Sequence, residues 1–271
     1  MPYTLYPKPS AGFTLIELLL VISIVSMLAS VVLASLSDAR GKATKAAGQQ
    51  FSGQVFRAMG AEAVAIFNFD SGITSPNPND ESGNSQTLTC SSGGIIASSV
   101  PGIKSNAVRF AVLPPALVGS GSSGQCRNDT FPFKDFNASN GAVGFWVNPT
   151  VASADRYTMH IKGIWNQLLA GGRITLLGVT SSTALPIGKW SYVLASWGAG
   201  KTRLYINGKS DNSVAALPSF SGTVLILSGF GSTSGMEGIM DEFVIYSKSI
   251  ESAQARQLYA AGAAEHGLAV K

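Results

Sequence analysis

Between Phe13 and Leu36 the chain carries no Lys, Arg, Asp, Gly or Pro, and its one ionisable side chain there is Glu17. As a helix rising about 1.5 Å per residue, such a run is long enough to cross a bilayer core of about 30 Å. The carboxylate inside it is the anomaly. Ionisable groups at membrane depth are costly and mark a function or a partner, and a lone carboxylate in hydrocarbon needs a cation beside it.

The run opens on Gly12-Phe13-Thr14-Leu15-Ile16-Glu17-Leu18-Leu19-Leu20. This stretch resembles the N-terminus of type IV prepilins and type II secretion pseudopilins: a short leader ending in Gly, then Phe-Thr-Leu-Ile-Glu, then about twenty apolar residues. The match is unbroken from Gly12 through Leu19. The resemblance implies cleavage between Gly12 and Phe13 by a prepilin peptidase, which also methylates the new Phe13 amine. It implies that Glu17 pairs with the N-terminal amine of a neighbouring subunit during assembly. An ordinary membrane anchor or a secretory signal peptide is the alternative, but a signal peptide is cut after its apolar region, whereas this pattern is cut before it. The leader, residues 1–12, has Lys8 as its only basic side chain and includes Pro7 and Pro9, which favour an extended segment. Where many relatives have a helix-kinking Pro, this chain has Ala34.

The expected long helix covers residues 13–66, with 13–36 as the membrane-spanning or filament-core part. Its second half is amphipathic, with Phe51, Val55, Met59 and Ile66 recurring at roughly helical spacing. Gly41, Gly48, Gly53 and Gly60 each weaken it by about 1 kcal/mol relative to Ala, and Ser37–Gly41 is the expected flexible point. The basic residues Arg40, Lys42 and Lys45 follow the apolar run, where membrane headgroups or acidic groups of neighbouring subunits would meet them. The net charge is only +4, without the basic stripe of a nucleic-acid binder.

From about residue 67 the texture changes to short apolar alternations separated by Gly, Ser, Asn and Pro, an all-β pattern. The clearest strands are 107–111, 143–147, 157–161, 173–177, 190–196, 203–206, 224–227 and 239–246. Turns fall at 183–188 and at Asn207-Gly208, a strong hairpin signal. A short helix over 252–261, closed by Gly262, ends the domain. Four segments sharpen the reading: Phe67–Gly72 followed by Asp80–Asn84, Gly144–Pro149, Gly188–Val193 leading to Leu204–Lys209, and Gly238–Tyr246 with Gln257-Leu258-Tyr259 after it. These resemble the laminin-G-like, concanavalin-A-type jelly roll of bacterial surface proteins. The fold class expected is therefore α+β: a pilin-type helix, a mainly antiparallel β-sandwich over 67–262, a short C-terminal helix, and a tail at 263–271.

Cys90 and Cys126 are the two cysteines. An even count in an exported domain fits one disulfide, whose loop of about 37 residues is worth about 3–4 kcal/mol on the chain-entropy account; two buried free thiols are the alternative. Asp70, Asp80 and Asp241 stand at the carboxylate positions that in similar jelly rolls hold a structural calcium, and turn capping is the alternative role for them. No other cofactor is expected. Of the four tryptophans, Trp146 and Trp190 read as core, while Trp165 comes just after Gly163, near a loop, and is the one to examine for sugar stacking. Enzyme readings find no footing. There are two histidines, His160 and His266, and the paired-carboxylate motif of glucanases with this fold is missing, since Glu237, Asp241 and Glu242 have the wrong spacing. The Gly-Ser-Gly-Ser-Ser-Gly run at 119–124 lacks a P-loop lysine.

Together these features describe a non-enzymatic filament subunit, held in the cytoplasmic membrane by one span and then carried outside the cell. Its implied partners are other pilin subunits, the peptidase and methyltransferase, and the assembly platform. The alternatives are a type II secretion pseudopilin, or a pilus-displayed lectin or adhesin whose head binds glycan.

Overall fold

The computed structural model describes residues 14–70, 78, 80–90, 99–102, 106–111, 125–133, 136–229 and 235–265. The expected cleavage point between Gly12 and Phe13, the glycine–serine run at 119–124 and His266 lie outside them. The chain divides into two compact units, residues 1–46 and 47–271.

The first unit is the N-terminal part of helix α1 (Leu15–Gly60), which continues unbroken through the expected flexible point at 37–41. Its Leu15–Leu33 stretch has the length and composition to cross a membrane. The hydroxyls of Ser23, Ser26 and Ser30 donate to the carbonyls of Leu20, Ile22 and Met27 at 2.7, 2.7 and 2.8 Å. Such back-bonding settles the polar groups inside the helix, which is what a hydrocarbon surrounding demands.

The second unit is a β-sandwich. Its strands are β1 (Ala63–Phe67), β2 (Thr89–Cys90), β3 (Ser99–Pro101), β4 (Asn106–Phe110), β5 (Cys126–Asn128), β6 (Gly141–Pro149), β7 (Arg156–Ile161) and β8 (Ile164–Leu168). They continue with β9 (Arg173–Leu176), β10 (Val179–Ala184), β11 (Ser191–Gly198), β12 (Lys201–Ile206), β13 (Lys209–Val214), β14 (Leu225–Leu227) and β15 (Gly238–Tyr246), and helix α2 (Ser252–Glu265) follows. One sheet runs β13-β12-β11-β6-β15-β4-β3, with β1 also on β15; the other runs β10-β9-β8-β7-β14-β5-β2. Every strand pairing is antiparallel.

The core lies between the sheets, with Phe67, Phe145, Val147 and Phe243 from the first meeting Met159, Ile161, Leu176 and Leu225 from the second. The first sheet is also covered outside, where Trp146, Tyr192 and Tyr205 pack with Ala255, Ala261 and Ala263 of α2 and with Met59 at the end of α1. Burial on both faces explains why β6 and β11 read as continuous apolar runs.

Two boundaries differ from expectation. The helix expected to reach residue 66 stops at Gly60, because Ala63–Phe67 is apolar throughout and is buried as β1 against β15, with Phe67 opposite Phe243. Tertiary pairing overrides the helical spacing of Ile66. Gly262, expected to end the last helix, instead sits inside α2, which runs to Glu265. A Cβ at Gly262 would lie 2.5 Å from Trp146 Nε1, so the helix rests directly on the indole. Gly262→Ala, which stabilises an exposed helix by about 1 kcal/mol, is expected here to destabilise by about 1–3 kcal/mol through overpacking. Thermal unfolding of the purified chain checks the sign.

The disulfide joins Cys90 to Cys126 across the β2–β5 pair, where the two residues are register partners. It pins the last strand of the second sheet.

Candidate functional site

Three places carry polar chemistry. The first is the start of α1. Thr14 and Glu17 form a capping box: Thr14 N and Oγ1 each donate to Glu17 Oε2 at 2.9 Å, and Glu17 N donates to Thr14 Oγ1 at 3.3 Å. The carboxylate expected to meet a neighbour's amine thus already accepts two donors from its own helix start. The Gly12–Phe13 bond falls outside the described residues.

The second place is where β1 meets its flanking loop. The outer edge of β1 is closed by side chains and by one main-chain bond. Asp80 Oδ1 accepts from Ile66 N, Glu81 N donates to Ile66 O, Ser82 Oγ donates to Val64 O, and Asn84 Nδ2 donates to Ala63 O and Val64 O. Asp80 also accepts from Ser82 N, Ser82 Oγ and Gln86 N, at 2.8–2.9 Å. Both its oxygens are therefore taken by the protein.

Asp70 and Asp241 are arranged differently. Asp70 Oδ1 is buried without a hydrogen-bond partner, while Asp70 O accepts from Asn106 Nδ2 at 2.9 Å. Asp241 is 1% exposed and Oδ1 accepts from Glu242 N at 2.8 Å. A bulge interrupts β15–β6 pairing just after Asp241, and Glu242 there has φ 48°. At Gly102 a Cβ would lie 2.4 Å from Asp241 Oδ2 and 2.7 Å from Asn106 O, so the Asp241 carboxylate and the Asn106 carbonyl share a corner. Asp70 is linked to this corner through its main-chain carbonyl and Asn106 Nδ2, and carboxylate and carbonyl oxygens are the donor type that hard cations take. Asp80 is committed to protein donors, and among the described residues no group of three or more His, Cys, Asp or Glu is gathered.

The third place is the outer face of the second sheet. Among the described residues no helix covers it. Trp165, on β8, is 38% exposed, whereas Trp146 and Trp197 are 2% and 0% exposed. Its ring centroid is 4.8 Å from Tyr157 and 4.3 Å from His160, both on β7. The Lys162-Gly163 hairpin sets this grouping. Both residues have positive φ, 44° and 89°, the type I′ geometry that places His160 opposite Trp165. Desolvation lowers the His160 pKa, and a backbone hydrogen bond at Val224 opposes the shift. The Trp165 position was legible in the sequence; its partners Tyr157 and His160 were not, and the signal for them was the Lys-Gly dipeptide between two apolar runs.

On the covered face of the first sheet, burial pushes the phenols of Tyr192 and Tyr246 well above their ordinary range, helped by nearby Glu242. Both are packing groups of that face.

Comparison with known proteins adds two family matches. Residues 121–256 match the concanavalin A-like lectin/glucanases superfamily, and residues 7–33 match the prokaryotic N-terminal methylation motif. No curated protein matches the chain. Among solved structures, domain 4 of AbnA, an extracellular arabinanase from Geobacillus stearothermophilus, in complex with arabinotriose, is 18% identical with a TM-score of 0.54, over 73% of this chain and 98% of that one. The binding domain of Paraclostridial Mosquitocidal Protein 1 is 16% identical with a TM-score of 0.57, over 74% of this chain and 52% of its own. The ligand binding domain of botulinum neurotoxin serotype D, in complex with N-acetylneuraminic acid, is 13% identical with a TM-score of 0.53, over 76% and 52%. The chain thus spans about half the length of the two toxin domains. At these identities the likeness is one of fold.

Proposed function

For a chain that belongs to the concanavalin A-like lectin/glucanases superfamily and carries the N-terminal methylation motif, we propose the role of a subunit of a type IV pilus or related filament, displaying a jelly-roll head. The observation that carries this reading is one carboxylate, Glu17, at the start of an apolar helix of membrane-spanning length. A peptidase cleaves between Gly12 and Phe13 and methylates the amine of Phe13. The cytoplasmic membrane stores the helix, an assembly platform extracts it, and the apolar surface passes from lipid to neighbouring helices. The type II secretion pseudopilin shares every one of these steps and differs in its partners. In this reading the head acts by binding or by structure rather than by catalysis.

Intact-mass analysis of the membrane fraction is expected to show a chain beginning with N-methylated Phe13, and sheared filaments are expected to contain it. A retained leader would sink the proposal.

A second reading makes the head a carbohydrate binder, so that the filament acts as an adhesin. It is supported by the superfamily match and by fold neighbours solved with arabinotriose and N-acetylneuraminic acid. Asp70 and Asp241 would hold a structural calcium in this head, neutralising the buried Asp241 carboxylate and the partly buried Asp70 carboxylate. Chelation is then expected to lower the melting temperature of wild type but not of Asp241→Ala. Superimposable wild-type curves would overturn the calcium site.

A further inference from the structure

We infer that the open face of the second sheet binds a neutral oligosaccharide, with Trp165 as its stacking platform. This rests on the reading of the head as a carbohydrate binder and gives that reading a place.

Strand register builds the surface in two rows. Arg127, Ile226, His160 and Trp165 are successive partners across β5, β14, β7 and β8, with Ile226 itself buried. Tyr157, Gln167, Thr175 and Thr180 are successive partners across β7, β8, β9 and β10. Adjacent strands lie about 4.8 Å apart, so Trp165 on β8 stands roughly 10 Å from the Thr180 strand. That gives room for more than one sugar ring.

The chemistry of the rows selects the ligand. Trp165 offers an indole face held at its sides by Tyr157 and His160, at interplanar angles of 50° and 54°. A ring fixed by its neighbours loses little freedom when a ligand stacks on it. Beside it stand an amide, Gln167, and the paired hydroxyls of Thr175 and Thr180, 2.9 Å apart. A sugar has the matching duality, with apolar C–H faces and a rim of hydroxyls.

A protein partner fits less well. Stable protein interfaces need about 800 Å² from each side, and here one exposed indole stands between two neighbouring rings and a polar row of Gln167, Thr175 and Thr180. Charge favours a neutral sugar. Arg127 is paired with Asp129, Arg156 is paired with Glu237, and the lowered pKa of His160 leaves its imidazole neutral near pH 7.

The test titrates the detergent-solubilised full chain with neutral di- to tetrasaccharides of arabinose, glucose, galactose and mannose. Calorimetry gives Kd, and filament counts are made in parallel. Trp165→Ala is expected to weaken binding roughly tenfold or more, with Trp165→Phe between it and wild type. Gln167→Ala, which leaves the rings in place, is expected to weaken binding as well. Unchanged melting curves show that each variant is folded. If wild type binds a sugar and Trp165→Ala and Gln167→Ala bind it equally well, this site is overturned while the carbohydrate reading stands. If wild type binds none of the sugars, the carbohydrate reading falls with it. If Trp165→Ala removes filaments and leaves sugar binding unchanged, the ring is a subunit contact and the site is overturned.

Discussion

Glu17→Gln is expected to abolish surface filaments while leaving the start of α1 intact. The substitution separates two roles that Glu17→Ala would remove together. One is local: the carboxylate caps its own helix by accepting from Thr14 N and Thr14 Oγ1. Gln serves that purpose as well as Glu, since either side chain completes a capping box. The other role, in the proposed filament, is to match the positive amine of a neighbouring subunit in an apolar bundle. An amide cannot do that, and the unmatched cation recurs at every junction. Membrane levels are expected to hold for both variants, because removing a charge from an apolar segment favours insertion. Filaments are counted by electron microscopy against membrane abundance. Loss with both variants supports pairing by charge. Normal filaments from Glu17→Gln, with loss only from Glu17→Ala, would show that the cap alone matters. Normal filaments from both would remove Glu17 from assembly.

Asp80→Ala is expected to destabilise the head severely, costing about 3–5 kcal/mol. Four donors converge on this carboxylate, three of them main-chain amides, from Ile66, Ser82 and Gln86. Each half-buried donor left without a partner costs about 1–3 kcal/mol, reduced where water reaches it. For a domain of this size the melting temperature should fall by roughly 10 °C. Asp80→Asn keeps one acceptor oxygen but turns an amino group toward the remaining donors, so an intermediate loss is expected. The loss should be equal with and without chelator, since protein donors occupy both oxygens. A loss that disappears in chelator would instead make Asp80 a metal ligand.

The sandwich was legible in the sequence because short apolar runs and alternations recur between turn residues and because Asn207-Gly208 is a strong hairpin dipeptide. Less legible were β8, β10 and β13, which are polar on one or both faces. Lys162-Gly163, Leu177-Gly178 and Ala199-Gly200 turn the chain in the same way as Asn207-Gly208, each with a residue other than Gly at positive φ. Lys, Leu and Ala are poor markers for that conformation. The role of Gly262 was hidden for another reason. A glycine near a helix end reads as a cap, and only the position of Trp146 shows that it marks a close approach. Among the site residues, Glu17 and Trp165 stood out by being the wrong kind of residue for their surroundings. Asp80 did not stand apart from Asp70 and Asp241, because the sequence does not say which carboxylates the main chain will claim.

The clasp on the outer edge of β1 has a consequence for crowding. A filament would hold many copies of the head at a local concentration far above that of any free protein. Under such conditions a sheet edge with unused amides and carbonyls is a template for copy-to-copy strand pairing. Here Ile66 N, Ile66 O, Val64 O and Ala63 O are all occupied from within the same chain. Heads can then be brought together by their helices at high density without fusing through this strand.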